Sequence, residues 1–177
     1  MARLKNHIGN VPSIRWLIRR DMPEVLEIES RSFEFPWTEG EFLRCLRQRN
    51  CIGTVYESAN HLIHGFMLYE LHQDRLRILN LAVAPEVRRT GVGRAMILRL
   101  IDRLSQQKRH TIEAEVRETN VAAQTFLAAA GFRAVKVLRR HYDDTDEDAY
   151  LFRYSLPSDS MQFVRDGGNR ISQYFEE

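Results

Sequence analysis

The spacing of hydrophobic positions changes several times along the chain, and each change marks an element. From Ser13 to Ile18, Ile14, Trp16 and Ile18 alternate with Arg15 and Leu17, which predicts a first strand. Asp21-Met22-Pro23 opens a helix, because proline is tolerated in a first turn, and Val25, Leu26, Ile28 and Phe33 form its apolar face. Phe33-Glu34-Phe35-Pro36-Trp37 interrupts that helix. Thr38-x-x-Glu41 is then a capping box for a second helix, with Phe42, Leu43 and Leu46 on its buried side. Three strand-like runs follow, Cys51–Glu57, His61–Leu71 and Arg75–Val83, with turns at Ala59-Asn60 and Gln73-Asp74; short connections predict an antiparallel meander. Met96, Ile97, Leu100, Ile101 and Leu104 recur at helical spacing up to about Lys108. In Thr111–Arg117, Ile112, Ala114 and Val116 share one face of a strand, while Glu113, Glu115 and Arg117 share the other. A helix starts at Asn120, a good N-cap, and stops at Gly131. Strands Ala134–Arg140 and Ala149–Leu156 enclose an acidic hairpin, Asp143–Asp148. The class is α/β.

Composition narrows the options without choosing among them. A chain of 177 residues suits one domain plus an appendage, here 13–156 followed by a tail over 157–177 where periodicity fades. The segment before Ser13 reads as a loose arm. A net charge of +2 neither demands nucleic acid nor forbids a polyanionic ligand. The basic residues near the start are scattered and carry no aromatic platform, so no nucleic-acid partner is expected. Cys45 and Cys51 form no CxxC pair, so no metal site and no disulfide framework are expected. The start lacks the apolar stretch of a secretory signal, and no apolar run is long enough to span a membrane. The expected location is therefore cytoplasmic.

The candidate chemistry is concentrated between Ile78 and Ala95. An apolar run stops at Pro85, a basic loop Arg88-Arg89-Thr90-Gly91-Val92-Gly93-Arg94 carries two glycines, and a helix begins at once. Glycines let the backbone turn tightly and approach a ligand. The first turn of the helix adds unpaired N–H groups and the positive end of its dipole. A pyrophosphate is the natural guest; a plain strand-to-helix turn with exposed arginines is the alternative. Met96 in the sixth position rules out a Rossmann fingerprint, and the absence of Lys-Ser/Thr rules out a P-loop.

Read with the second half, these pieces resemble a known family. Asn80-Leu81-Ala82-Val83-Ala84-Pro85, the Arg88–Arg94 loop, Glu115-Val116-Arg117 with Asn120 and Ala123, and Gly131-Phe132 are similar to the GNAT acyl-CoA N-acyltransferases. Phe35-Pro36-Trp37-Thr38, Arg139-Arg140-x-Tyr142 and Glu147-Asp148-Ala149 resemble, within that family, the RimI-type ribosomal-protein alanine N-acetyltransferases. The resemblance implies a mixed, mostly antiparallel central sheet whose two parallel strands splay apart around acetyl-CoA. It implies that Leu81, Ala82 and Val83 bond the pantetheine and thioester through their main chain. Arg88, Arg89, Thr90, Gly91, Val92, Gly93 and Arg94 would then cradle the pyrophosphate, and Asn120 would reach the pantetheine unless it serves only as a helix cap. Phe35, Trp37 and Tyr142 would line an acceptor pocket.

Glu115 is the implied general base. Its pattern alone does not distinguish it from Glu113 on the same face; the family's Glu-Val-Arg match picks Glu115. An α-amine ionises near 7.7–8.0 and a lysine near 10.4, a gap worth about 3.5 kcal/mol, so a carboxylate acting through water manages a protein N-terminus more easily. The implied partner is thus a protein or peptide N-terminus, a ribosomal protein in the RimI-like case. One departure stands out. Related enzymes place a tyrosine where Leu127 stands, and leucine cannot protonate the departing thiolate. A thiol near pKa 8.5 leaves tolerably without help, and Tyr142 offers another hydroxyl if it is not merely a hairpin aromatic. Two alternatives stay open: a GNAT enzyme acting on a small amine, lysine or polyamine, and an acyl-CoA-binding sensor that has lost catalysis. The acidic hairpin is either a solvated turn or an attractor for a basic tail.

Overall fold

The computed structural model describes residues 11–106, 109–142 and 144–156. The expected tail over 157–177, the first ten residues, Asp143 and the helix end near Lys108 lie outside the described residues. The elements are β1 (Ser13–Trp16), α1 (Met22–Ser30), α2 (Glu39–Leu46), β2 (Cys51–Glu57), β3 (Ile63–Leu71), β4 (Arg75–Val83), α3 (Val92–Gln106), β5 (Thr111–Arg117), α4 (Val121–Ala129), β6 (Arg133–Tyr142) and β7 (Glu147–Ser155), with 3₁₀ turns at Arg19–Asp21 and Pro85–Val87. The sheet has seven strands in the order β1-β2-β3-β4-β5-β7-β6. Every neighbouring pair is antiparallel except β4 and β5. The meander over β2, β3 and β4 is as the short turns predict.

Local signals explain most boundaries. The capping box closes: Thr38 N–H donates to Glu41 Oε2 at 2.7 Å, and the Thr38 hydroxyl oxygen accepts from Glu41 N–H at 3.4 Å. Asn120 Oδ1 accepts from Ala123 N–H at 3.0 Å and starts α4. Gly131, at φ +91°, ends it where a side chain would be strained. Among the described residues no helix is long and apolar enough to cross a membrane.

Helices cover both faces of the sheet. Met96, Ile97, Leu100 and Leu104 of α3 and Leu127 of α4 pack against Met67, Tyr69, Leu76, Ile78, Ile112 and Ala114. Val25 and Ile28 of α1 and Phe42 and Cys45 of α2 pack against Val55, Phe66, Leu68 and Ala82. Successive β3 residues, Phe66, Met67, Leu68 and Tyr69, thus go to opposite cores. This is why the strand reads as a continuous apolar run rather than an alternation.

One irregularity in β4 prepares the site. Tyr69 pairs with Ile78 and Leu68 with Asn80, so Leu79 has no register partner. This bulge reverses the facing of everything after it. Leu76 and Ile78 belong to the α3 side, but beyond the bulge Leu81 and Val83 face that side and Asn80, Ala82 and Ala84 face α1. Pairing with β5 also stops here, at Ile78 opposite Ala114. Beyond that point the two parallel strands diverge.

Candidate active site

A cavity of about 590 Å³ opens where β4 and β5 part. Its walls come from the ends of β4 and β5, the loop leading into α3, the first turns of α4, the α1–α2 connection and the end of β6. Among the residues expected from sequence, Phe35, Trp37, Leu81, Val83, Arg88, Arg89, Gly91, Gly93, Arg94, Glu115, Asn120 and Tyr142 all line it.

Ala82, Thr90 and Val92 do not line it, for separate reasons. Ala84 N–H donates to His64 O at 2.9 Å, which fixes the alternation of main-chain groups along antiparallel β4. Ala82, two residues away, therefore spends its main chain on β3 opposite Phe66, and its methyl group is buried on the α1 side. Leu81 and Val83 turn their N–H and C=O groups the other way, into the gap. Thr90 donates its hydroxyl to Val87 O at 2.7 Å. The Val92 side chain is buried in the core beneath α3.

The glycine loop has the conformation its sequence suggests. Arg89 at φ +67° and Gly91 at φ +98° curl the backbone. The ladder of α3 begins with Ala95 N–H donating to Gly91 O at 2.9 Å, so the N–H groups of Val92, Gly93 and Arg94 precede it. Gly93 packs so closely on the Phe126 ring that an added Cβ would sit 3.2 Å from it. Arg88 turns back: Nε donates to Val83 O at 3.0 Å and Nη2 to Ser32 Oγ at 2.9 Å. This run of donors at a helix N-terminus suits a pyrophosphate, and the strand edge that β5 leaves uncovered at Leu81 and at the Val83 N–H suits an amide-bearing chain.

On the α1 face of β5 the two glutamates part company. Glu113 accepts from Arg153 at 2.7 Å, forms an ion pair with Arg75 Nε at 3.2 Å and does not line the cavity. Glu115 does line it. Its Oε2 accepts from Arg77 Nη2 at 2.8 Å and lies 2.8 Å from His141 Nε2, while Oε1 has no protein partner among the described residues. Asn120, its oxygen spent on capping, keeps its amide nitrogen without a protein acceptor among the described residues.

Sequence reasoning assigns no role to three further residues at the site. Glu29, 1% exposed, also lines the cavity and accepts from Trp37 N–H at 2.8 Å and from Asn80 Nδ2 at 3.1 Å to each oxygen. Burial pushes its carboxyl above the ordinary range, against those hydrogen bonds. Its place on the buried face, four residues after Val25, was the one available hint. Arg117 lies over the rings of Tyr142 at 3.8 Å and Phe35 at 5.0 Å. Asp144 at 2.5 Å and Glu147 at 3.2 Å hold its guanidinium. His141 reaches Glu115 from a strand distant in sequence.

The acidic hairpin is mostly spoken for. Asp144 and Glu147 hold Arg117; Glu147 also accepts from the Thr119 N–H at 2.9 Å and from the Thr119 hydroxyl. Asp148 pairs with Arg139 at 2.5 Å and accepts from Arg140 N–H at 2.8 Å. Tyr142, whose phenol burial pushes up in pKa, is the one hydroxyl-bearing side chain among the described residues lining the cavity. Leu127, 4% exposed, presents only carbon there.

A bulged β4, a splayed parallel pair and a donor-rich loop opening α3 are the parts of an acyl-CoA site, and the comparisons agree. The chain belongs to the acetyltransferase (GNAT) family, which it matches over residues 11–132. It is an acetyl-CoA-dependent N-acetyltransferase. Within the family it is 32% identical, over 133 residues, to the [ribosomal protein bS18]-alanine N-acetyltransferase of Escherichia coli, covering 74% of this chain and 88% of that one. It superimposes on the crystal structure of the ribosomal-protein-S18-alanine N-acetyltransferase from Escherichia coli with a TM-score of 0.73 at 30% identity, over 84% of this chain and 97% of the other. Ard1 from Thermoplasma volcanium gives a TM-score of 0.75 at 25% identity, over 84% and 99%.

Proposed function

We propose that this enzyme acetylates the α-amine of a protein N-terminus, an alanine of a ribosomal protein, with Glu115 as general base. The observation that carries the reading is the free Glu115 Oε1 at the cavity where the strands part, beside Phe35, Trp37 and Tyr142. Gly91, Val92, Gly93 and Arg94 hold the pyrophosphate through main-chain N–H groups, with Arg88, Arg89 and Thr90 shaping the loop around it. Leu81 and Val83 offer main-chain groups to the pantetheine, with Asn120 beside it. Ala82 serves by holding β4 to β3. Glu115, through a water, accepts a proton from the acceptor ammonium. The neutral nitrogen attacks the thioester carbon, a C–N bond forms, the C–S bond breaks, the nitrogen sheds its surplus proton, and the thiolate takes one up. Val83 N–H faces the oxygen that gains charge. Tyr142 is the hydroxyl available to the departing thiolate.

Two arguments favour an α-amine. It needs roughly 2.5 fewer pKa units of help than a lysine. The bS18-alanine acetyltransferases named above are relatives over most of this chain. The test compares short peptides beginning with alanine, N-blocked peptides carrying lysine, and polyamines, by thiol release and mass spectrometry. Turnover confined to free N-termini is expected; turnover only on lysine or polyamines overturns the acceptor reading. Tight CoA binding with no turnover on any acceptor replaces it with the sensor. Glu115→Gln should lower kcat by about 10²–10⁴ while leaving acetyl-CoA binding intact. An unchanged kcat removes Glu115 from the mechanism.

A further inference from the structure

A carboxylate that serves as a base must present one oxygen to the substrate side, and a freely rotating glutamate does so only part of the time. Glu115 is 21% exposed and is held by one oxygen alone. Arg77, from β4, and His141, from β6, both meet Oε2 at 2.8 Å. Neither lines the cavity, so both grip the carboxylate from behind.

His141 reaches this position through an irregularity in β6. The register with β7 jumps from Leu138 opposite Ala149 to Tyr142 opposite Glu147, so Arg139, Arg140 and His141 stand opposite Asp148 alone. Arg140 takes φ +48° to make the detour. Asp148 pins it, pairing with Arg139 and accepting from Arg140 N–H. Tyr142 braces the imidazole edge-on, with centroids 5.0 Å apart and planes at 83°. A non-glycine residue in a left-handed conformation is strained and persists only where its surroundings hold it.

We infer that His141 is a positioning residue for catalysis: through Nε2–H it clamps Glu115 Oε2 jointly with Arg77, so that Oε1 is held toward the acceptor nitrogen. The inference rests on Glu115 being the base. Arg77 alone does not suffice, because a single donor on one oxygen leaves the carboxylate free to swing about that contact, whereas two donors from different strands fix its plane. Losing one hydrogen bond to a charged group is worth on the order of tenfold or more, which sets the scale of the effect.

The experiment uses the full chain, acetyl-CoA and a short peptide with a free N-terminal alanine, or the best acceptor of the panel above. His141→Ala should lower kcat by on the order of tenfold or more, leaving the KM for acetyl-CoA within about twofold. His141→Gln, which keeps a donor of similar reach, should recover most of the loss. In a Glu115→Gln background, His141→Ala should cost nothing further, because its effect runs through that carboxylate. A wild-type kcat in His141→Ala, failure of His141→Gln to recover activity while folding normally by thermal unfolding, or full additivity with Glu115→Gln each overturns the clamp. If Glu115→Gln alone leaves kcat unchanged, the base assignment itself fails, and the clamp with it. A large loss in Glu115→Gln beside an inert His141→Ala refutes the clamp alone.

Discussion

Replacing Glu29 tests how the α1–α2 connection, the proposed acceptor wall, is attached to the sheet. Its carboxylate is buried and joins three elements: α1, which carries it; the α1–α2 connection, through Trp37 N–H; and β4 just past its bulge, through Asn80. Glu29→Ala strands both donors. An unsatisfied buried donor costs roughly 1–3 kcal/mol, so the pair costs about 2–6 kcal/mol, offset in part by release of a buried charge. For a chain of this size that is a fall of roughly 4–24 °C in Tm. Glu29→Gln keeps the shape and, with an amide flip at Asn80, the contacts, so it should retain most of the stability. The pH dependence has a definite sign. Burial raises the folded-state pKa of Glu29 above its ordinary value of 4.5. A raised carboxyl contributes fully below the ordinary value, and its contribution declines as pH climbs through the raised one. Glu29→Gln lacks that titration, so its stability relative to wild type should rise across this window and then level off. Urea unfolding of the three proteins over a pH series, with acceptor KM measured alongside, reads all of this. Glu29→Ala within about 1 kcal/mol of wild type, or a Glu29→Gln difference that stays flat across the window, refutes the account.

Other substitutions separate the two halves of the cavity. Gly91→Ala meets no atom within 4 Å but must hold φ +98°, so it should cost roughly 1–2 kcal/mol of purely backbone origin. It should raise the KM for acetyl-CoA without changing that for the acceptor, as initial-rate kinetics would show. Arg117→Ala removes the cation stacked on Phe35 and Tyr142 and unpairs Asp144 and Glu147. The acceptor KM should rise by on the order of tenfold, with acetyl-CoA binding by calorimetry unchanged. A loss of acetyl-CoA affinity instead would place Arg117 in the donor half.

Much of the architecture is legible in one sequence because the signals are local. The bounds of β2, β4 and β5 follow from their hydrophobic runs, and Thr38, Asn120 and Gly131 act as the caps their identities suggest. The strand expected over Ser13–Ile18 ends at Trp16, and the one expected from His61 starts at Ile63. Leu17 N–H still bonds Gly53 O at 2.9 Å, and Ile18 turns to begin a 3₁₀ turn capped by Asp21. The glycine loop and Glu115 could be picked out because their spacing is short and the family match frames them.

What the chain could not announce is which atoms face which way. The sequence by itself determined the strands, the caps, the donor-rich turn before α3 and the placing of Glu113 and Glu115 on one face of β5. A single unpaired residue, Leu79, reverses every side chain after it, and nothing in Asn80-Leu81-Ala82-Val83 reveals that. Only the register with β3 decides that Leu81 and Val83 open their main chains to the gap while Ala82 does not. Only the sheet order, which lays β7 and then β6 beyond β5, brings His141 onto Glu115 across 26 residues and commits Glu113 to arginines instead. Patterns within a strand report which face a residue takes. Contacts between strands depend on register, and register is set by the assembled sheet.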